Sequence, residues 1–412
     1  MESVRSPNLS AGTEWLDRGN ALRLAGRWDE AITAYARAVI LAPDMAPAWA
    51  NLASAGKRRG RLPAAAALLG RALALAPDSP ELHYNDGIIR QDQGALAPAM
   101  AAYRRAIALR PDYAEAHNAL GQAHLLSGDF APGWRHCEWR WPDACPPQPL
   151  TVPLWRGEDI AGKTVLLFHE QGLGDTVQFV RYVRPVAALG ARVVLAVQPP
   201  LAALLRGLPE ARVVTAGERL PAVDLQAPLL GVPRLLGTTL ATIPAEVPYL
   251  RAAADRPRPW LERLAGPGLK VGVAWAGNPR HLKDSARSIP WEVFRALVVL
   301  PGIRVFSLQL GSNAPLGRGM VDLAPLLGDF ADTAAALERL DLCISADTAV
   351  AHLAGALGRP LWALLPFMPD WRWLLGRADS PWYPTARLFR QAGPGDWAGV
   401  IDQVTTALRR MI

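Results

Sequence analysis

Residues 31–44 read AITAYARAVILAPD, residues 65–78 read AAALLGRALALAPD, and residues 99–112 read AMAAYRRAIALRPD. The three segments start 34 residues apart, and each closes on a proline followed by an aspartate. Four columns share the step: Ala31, Ala65 and Ala99; Ala38, Ala72 and Ala106; Pro43, Pro77 and Pro111; and Gly26, Gly60, Gly94 and Gly128. A fixed period of this length marks a stacked repeat, in which each unit is one supersecondary element. Each column has a physical reason. The glycine sits between two helices, where the turn needs a left-handed backbone. The alanines lie on the second helix and let a neighbour approach closely. The proline stops that helix, because it has no N–H and restricts the residue before it.

Outward from these segments, Trp15, Gly19, Ala31, Tyr35 and Pro43 resemble the tetratricopeptide pattern, with Leu22 in place of the usual first-helix tyrosine. Trp49, Leu52, Ala65, Ala72 and Pro77 repeat it. The third unit departs in its first helix, where His83 and Asp86 replace apolar residues. A fourth begins at Ala114, keeps Leu120, Gly121 and Gly128, then turns into the aromatic run Gly133–Trp141, expected to cap the solenoid and dock it onto the next domain. Such stacks present a concave surface that commonly binds peptides. Asn51 and Asn85 are one period apart on first helices, where similar glycosyltransferase-linked repeats carry backbone-binding asparagines. Solvated polar residues on a spacer are the alternative.

Composition bounds the rest. The 412 residues allow two or three domains, and 50% hydrophobic with 20% charged residues is the balance of a globular chain. No run approaches the roughly 18–20 apolar residues of a membrane span. Met1–Thr13 lacks the apolar core of a signal peptide or anchor, so a cytoplasmic location is expected. Cys137, Cys145 and Cys343 have no metal-ligand spacing and read as reduced thiols. The net charge of +7 is spread along the chain, with short clusters such as Lys57-Arg58-Arg59 and Arg409-Arg410. That argues against nucleic acid, which selects a concentrated basic face. A modest basic excess suits an anionic substrate.

Five prolines between Pro142 and Pro153 mark a linker, placed at 142–159, after a repeat domain at 1–141. Beyond it the hydrophobic pattern changes. Thr164–Phe168, Arg192–Val197 and Arg212–Val214 read as buried strands separated by helical stretches, the signature of a parallel sheet. The scheme restarts at Lys270–Trp275 and continues through Arg304–Leu308, Asp341–Ser345 and Leu361–Leu365. The expected class is therefore α + α/β: a tetratricopeptide α-solenoid, then two Rossmann-like halves at 160–255 and 256–395, with a C-terminal helix at 396–412. Pro244–Pro267 is the expected hinge between the halves. Two such halves in series are what a GT-B glycosyltransferase contains.

Ligands of open α/β sheets lie beyond the carboxyl ends of the strands, which singles out three loops. Gln171-Gly172-Leu173-Gly174-Asp175 joins a strand to a helix, and its glycines permit close approach of a ligand. There Asp175 is placed to take a proton from an acceptor hydroxyl, or simply to cap its helix. Asp347-Thr348-Ala349, with His352 one turn on, offers a helix start to a phosphate; capping and packing are the alternative roles. The third, Trp275–Asn278 with His281, Lys283 and Arg287, is a basic loop suited to a diphosphate, and Gln309 follows the next strand.

Together with the run Leu353–Pro360, these loops resemble glycosyltransferase family 9, the heptosyltransferase group, over roughly residues 160–395. The resemblance implies an inverting, metal-independent transfer without cofactor. Asp175 would be the base. Arg287 would stand for the phosphate-binding lysine of the family's K-x-W-P motif, here Arg-Ser-Ile-Pro. Gln171, Gly172, Gly174, Asn278, His281, Gln309, Asp347, Thr348, Ala349 and His352 would line the substrates. Ala349 replaces a usual glycine, and the tail Pro366–Tyr383 is unlike a typical heptosyltransferase. It is similar instead to a bacterial branch in which tetratricopeptide repeats precede a family 9-like domain. As in similar enzymes, the C-terminal helix from Trp397 could cross back to the first half. The expected partners are a nucleotide-sugar and a polypeptide acceptor, such as a flagellin-like protein, held in the repeat groove. A saccharide or lipid-linked acceptor, a non-catalytic adaptor with a degenerate nucleotide-sugar site, and an epimerase remain the alternatives.

Overall fold

The computed structural model describes residues 7–141, 151–253, 258–280, 284–311, 315–316 and 319–412. The chain divides into two compact units, with residues up to His124 and from Arg135 in the first, and Leu125–Trp134 and the remainder in the second.

In the first unit the helices alternate as the period requires: α1 (Pro7–Leu24), α2 (Trp28–Leu41), α3 (Ala46–Arg58), α4 (Leu62–Leu75), α5 (Pro80–Asp92), α6 (Leu96–Leu109) and α7 (Ala114–Leu126), followed by α8 (Phe130–Cys137), whose later residues return to this unit. All four column glycines have φ between +73° and +85°, the left-handed turn their spacing predicts. The column alanines Ala31, Ala38, Ala65, Ala72, Ala99 and Ala106 are wholly buried. Partner sizes match from repeat to repeat. A Cβ on Gly19 would strike the Tyr35 ring, and one on Gly87 the Tyr103 ring. In the second repeat the corresponding positions carry Ala53 and Leu69, a larger residue facing a smaller one within the same buried cluster.

The departure at His83 has a physical explanation. Trp49 Nε1 donates to the Pro43 carbonyl at 2.8 Å, His83 Nε2 lies 2.8 Å from the Pro77 carbonyl, and His117 Nε2 lies 2.9 Å from that of Pro111. A ring N–H is what this position needs, to satisfy a carbonyl at the end of the preceding helix. Imidazole serves as well as indole.

The second unit holds two parallel sheets. The first contains β1 (Thr164–Phe168), β2 (Arg192–Val197), β3 (Ala211–Thr215) and β4 (Leu225–Pro228), in the order β3-β2-β1-β4. The second contains β5 (Leu269–Ala274), β6 (Ile303–Ser307), β7 (Met320–Asp322), β8 (Leu342–Ala346), β9 (Leu361–Leu365) and β10 (Ala386–Arg390), ordered β10-β9-β8-β5-β6-β7. Helices α9 (Leu173–Phe179), α10 (Val183–Ala188), α11 (Pro199–Leu205) and α12 (Val232–Leu235) accompany the first sheet. With the second run α13 (Asp284–Arg287), α14 (Trp291–Phe294), α15 (Phe330–Leu337), α16 (Ala349–Ala356) and α17 (Trp397–Leu408). This is the architecture expected of a GT-B-like pair of halves.

Three sequence expectations need adjustment. The linker's second half is part of the first sheet: Leu154 bridges to Gln226, and Trp155 N donates to the Gln226 carbonyl at 2.8 Å. Residues 142–150 lie outside the described residues. The strands β4, β7 and β10 are too short or too polar to announce themselves. The C-terminal helix packs on the second half. Trp397, Val400, Ile401, Val404 and Leu408 of α17 join a buried cluster with Val271, Phe294 and Leu364.

Candidate functional site

The strand orders place two switch points, one between β1 and β4 and one between β5 and β8, where neighbouring strands lead their connections to opposite faces. The loops after β1, β5 and β8 are the three that the sequence singles out.

After β1 the chain turns at Gly172, the N-cap of α9, and Asp175 reaches back so that its Oδ2 accepts from the Gly172 N–H at 2.8 Å. Helix capping by Asp175 is thus real. Its other oxygen, Oδ1, takes a charged hydrogen bond from Arg372. Gln171 contributes its carbonyl, which accepts from Gln198 Nε2 at 3.0 Å.

After β8, Asp347 is 7% exposed and Thr348 is the N-cap of α16. The Thr348 hydroxyl pairs with Ser345 Oγ at 3.0 Å and does not cap the helix. Burial opposes the charge on Asp347, but His352, Trp373 and Arg372 together hold its carboxyl below the usual aspartate range. His352, also buried, sets Nε2 at 3.6 Å from Asp347 Oδ1 and Nδ1 at 2.8 Å from the Tyr383 hydroxyl, with its ring stacked on Trp373.

The two loops, from different sheets, meet. A Cβ on Gly174 would lie 2.9 Å from His352 Cδ2 and 3.3 Å from Ala349 Cα. Gly174 therefore admits α16, not a ligand, on that side, and Ala349 is tolerated because its partner is glycine.

The β5 loop is stitched from within. Gln309 Oε1 accepts from the N–H groups of Trp275 and Ala276 at 3.0 and 2.9 Å, and Gly277 N donates to Ser288 Oγ at 2.9 Å. Asn278 Oδ1 accepts from Arg280 N at 3.0 Å, and Arg287 Nε lies 3.3 Å from Asp284 Oδ1. A Cβ on Gly277 would run into that ion pair. Among the described residues, neither Asn278 nor Arg287 is bonded to the Asp175–His352 group; His281 and Lys283 lie outside the described residues.

The sequence marks the aromatic tail as unusual but gives it no role in the site. Asp370-Trp371-Arg372-Trp373 and Trp382-Tyr383 supply the side chains packed on Asp175, Asp347 and His352. Arg181, 4% exposed, donates to the Trp382 carbonyl at 2.8 Å and the Tyr249 hydroxyl at 3.0 Å. The density of tryptophan around charged residues was the available signal.

In the repeat, Asn51 Nδ2 donates to Asn20 Oδ1 at 2.9 Å, and Tyr35 donates to the same oxygen. Asn85 is half-buried. Cys343 is a buried free thiol, Cys137 is half-buried, and Cys145 lies outside the described residues. No helix among the described residues is long and apolar enough to cross a membrane.

Comparison with known proteins defines the class. Residues 16–80 match the tetratricopeptide repeat model and residues 89–128 a second TPR repeat model. Residues 311–367 match glycosyltransferase family 9 (heptosyltransferase), a stretch that includes Asp347 and His352 but not Asp175 or Arg287. The chain thus joins tetratricopeptide repeats to a domain with a family 9 segment. Among particular proteins, FlbA of Caulobacter vibrioides is 30% identical over 320 residues, which is 69% of this chain and 53% of FlbA. The chain spans about half the length of that relative. Among solved structures, MamA is 25% identical, with a TM-score of 0.30, over 32% of this chain and 77% of MamA. The first TPR of Spaghetti (RPAP3), bound to an HSP90 peptide, is 26% identical, with a TM-score of 0.28, over 28% of this chain and 91% of that one.

Proposed function

We propose that the α/β unit is a glycosyltransferase that moves a sugar from a nucleotide-sugar to an acceptor hydroxyl, with inversion and without a metal or other cofactor. The observation that carries this reading is the meeting of the Gly172–Asp175 and Asp347–His352 loops, from separate sheets, at the two switch points. In the reaction, Asp175 takes the acceptor proton as the acceptor oxygen bonds to the anomeric carbon. The bond from that carbon to the phosphate breaks, and the nucleoside diphosphate leaves. The α16 dipole and the Arg287 guanidinium stabilise the departing charge. Asn278, His281 and Gln309 belong to the donor side. The acceptor is a polypeptide of the flagellin-like class, selected in the repeat groove past Asn51 and Asn85, in the cytoplasm.

A second reading draws on a specific observation: both oxygens of Asp175 already have partners, as a retired active site or adaptor would show. Thermal shift with a panel of UDP-, GDP- and ADP-sugars separates the two. Binding at about 100 times Kd stabilises by about 2.7 kcal/mol. The transferase reading expects a shift for one donor, lost in Asp347→Ala, and transfer that fails in Asp175→Asn. No shift with any donor would favour the adaptor, and the repeat groove would then hold the function.

A further inference from the structure

We infer that Arg372 is the positioning residue for Asp175, delivered from the aromatic tail of the second half to the carboxylate of the first; this rests on Asp175 being the base. Arg372 is 7% exposed, and every face of its guanidinium is used. Nε donates to Gln178 Oε1 at 2.6 Å, one terminal nitrogen to Asp370 Oδ1 at 2.8 Å, and the other to Asp175 Oδ1. Gln178 and Asp175 are three residues apart on α9, so both face the same side of that helix. The plane of the guanidinium lies over Trp371, with its carbon 4.4 Å from the ring centroid. Burial opposes the charge, yet Asp370 and Asp175 hold the group protonated, above the ordinary arginine value.

Fixing one oxygen of Asp175 from Arg372 and the other from the Gly172 N–H sets the carboxylate plane. Each oxygen keeps a second lone pair, and the side chain retains 19% exposure through which an acceptor proton can arrive. A base held this way needs no reorganisation when the acceptor attacks. The backbone that delivers Arg372 is strained. Leu374 has φ 52° and ψ −176°, a region nearly reserved for glycine. Asp370 braces the same turn by accepting from the Arg372 N–H at 3.0 Å. Strain at a non-glycine residue two positions from a buried, fully bonded arginine fits a segment shaped to place that arginine.

The test is a double-mutant cycle in the full chain, using the same donor panel with water as acceptor and release of nucleoside diphosphate as the readout. Arg372→Lys keeps a charge but not the planar fork. It is expected to lower kcat at least tenfold with KM for donor unchanged, and to cost nothing further in the Asp175→Asn background. Asp370→Asn, at a partly exposed site that threatens folding less, is expected to lower kcat by a smaller factor in the same pattern. Equal losses in both backgrounds, or none in either, would overturn the assignment while leaving Asp175 as base. Wild-type turnover in Asp175→Asn, or no turnover of any donor by the wild type, would remove the base itself and the assignment with it.

Discussion

Tyr103 in the repeat unit and Arg372 in the α/β unit are both buried and both central to their surroundings, but they find their partners differently. Tyr103 packs on Gly87 and donates to Gln91 Oε1 at 3.0 Å, only twelve residues away in the chain. Arg372 is bonded to Gln178 and Asp175, 194 and 197 residues away. A solenoid satisfies each unit from its neighbour, so its stability is a sum of local terms. The two sheets instead rely on a few long-range contacts whose loss has no local substitute.

Several experiments break or sharpen this contrast. Arg372→Leu leaves the Asp175 and Asp370 carboxylates facing a buried site without their cation, which costs about 3–5 kcal/mol. Hydrogen exchange in denaturant is expected to show that loss in peptides of 160–408, with those of 16–110 unchanged. Gly87→Ala forces a methyl into the Tyr103 ring and costs about 1–3 kcal/mol, read in peptides of α5 and α6. A loss spread evenly over both units would contradict the local picture.

The pH response should also differ between the units. Burial and the neighbouring His117 push His136 down to about 4 from the usual 6.5. The unfolded chain takes up that proton first, so the repeat loses stability as pH falls from about 6.5 towards 4. Allowing for the partial exposure of the ring, the loss is about 1–2 kcal/mol, and His136→Phe should flatten it. Asp347 is depressed instead. Its contribution is present above the unfolded aspartate value of about 3.9 and is lost only below it, as pH falls through the folded value. Asp347→Asn should therefore lower the stability of the α/β unit evenly near neutrality and flatten its loss below about pH 4. Smallest of all, Gly60→Ala at φ +73° should cost about 1 kcal/mol, confined to the α3–α4 turn.

The same contrast governs what the sequence made legible. The period, the turn glycines and the stopping prolines were readable because each reports on contacts a few residues away. Even His83, at first a departure, proves to keep the ring N–H that Trp49 supplies. In the α/β unit the buried strands were readable from their apolar runs, and β4, β7 and β10 were not. The loops after β1, β5 and β8 were found because strand ends are marked locally. That Gly174 seats α16, that Gln309 clamps the β5 loop, and that Arg372 holds Asp175 depend on tertiary approach, which no spacing encodes. The placement of α17 has the same origin: an apolar stripe declares that a helix packs, not on which sheet.

The most direct measurement is turnover of the donor panel by wild type and Asp175→Asn, with product release and folded fraction followed on the same samples. A general base contributes about 10²–10⁴-fold. The account predicts that one nucleotide-sugar is consumed by the wild type and that the asparagine variant, equally folded and still binding that donor, is slower by at least a hundredfold. Equal turnover by the two proteins, or none by either, would contradict it.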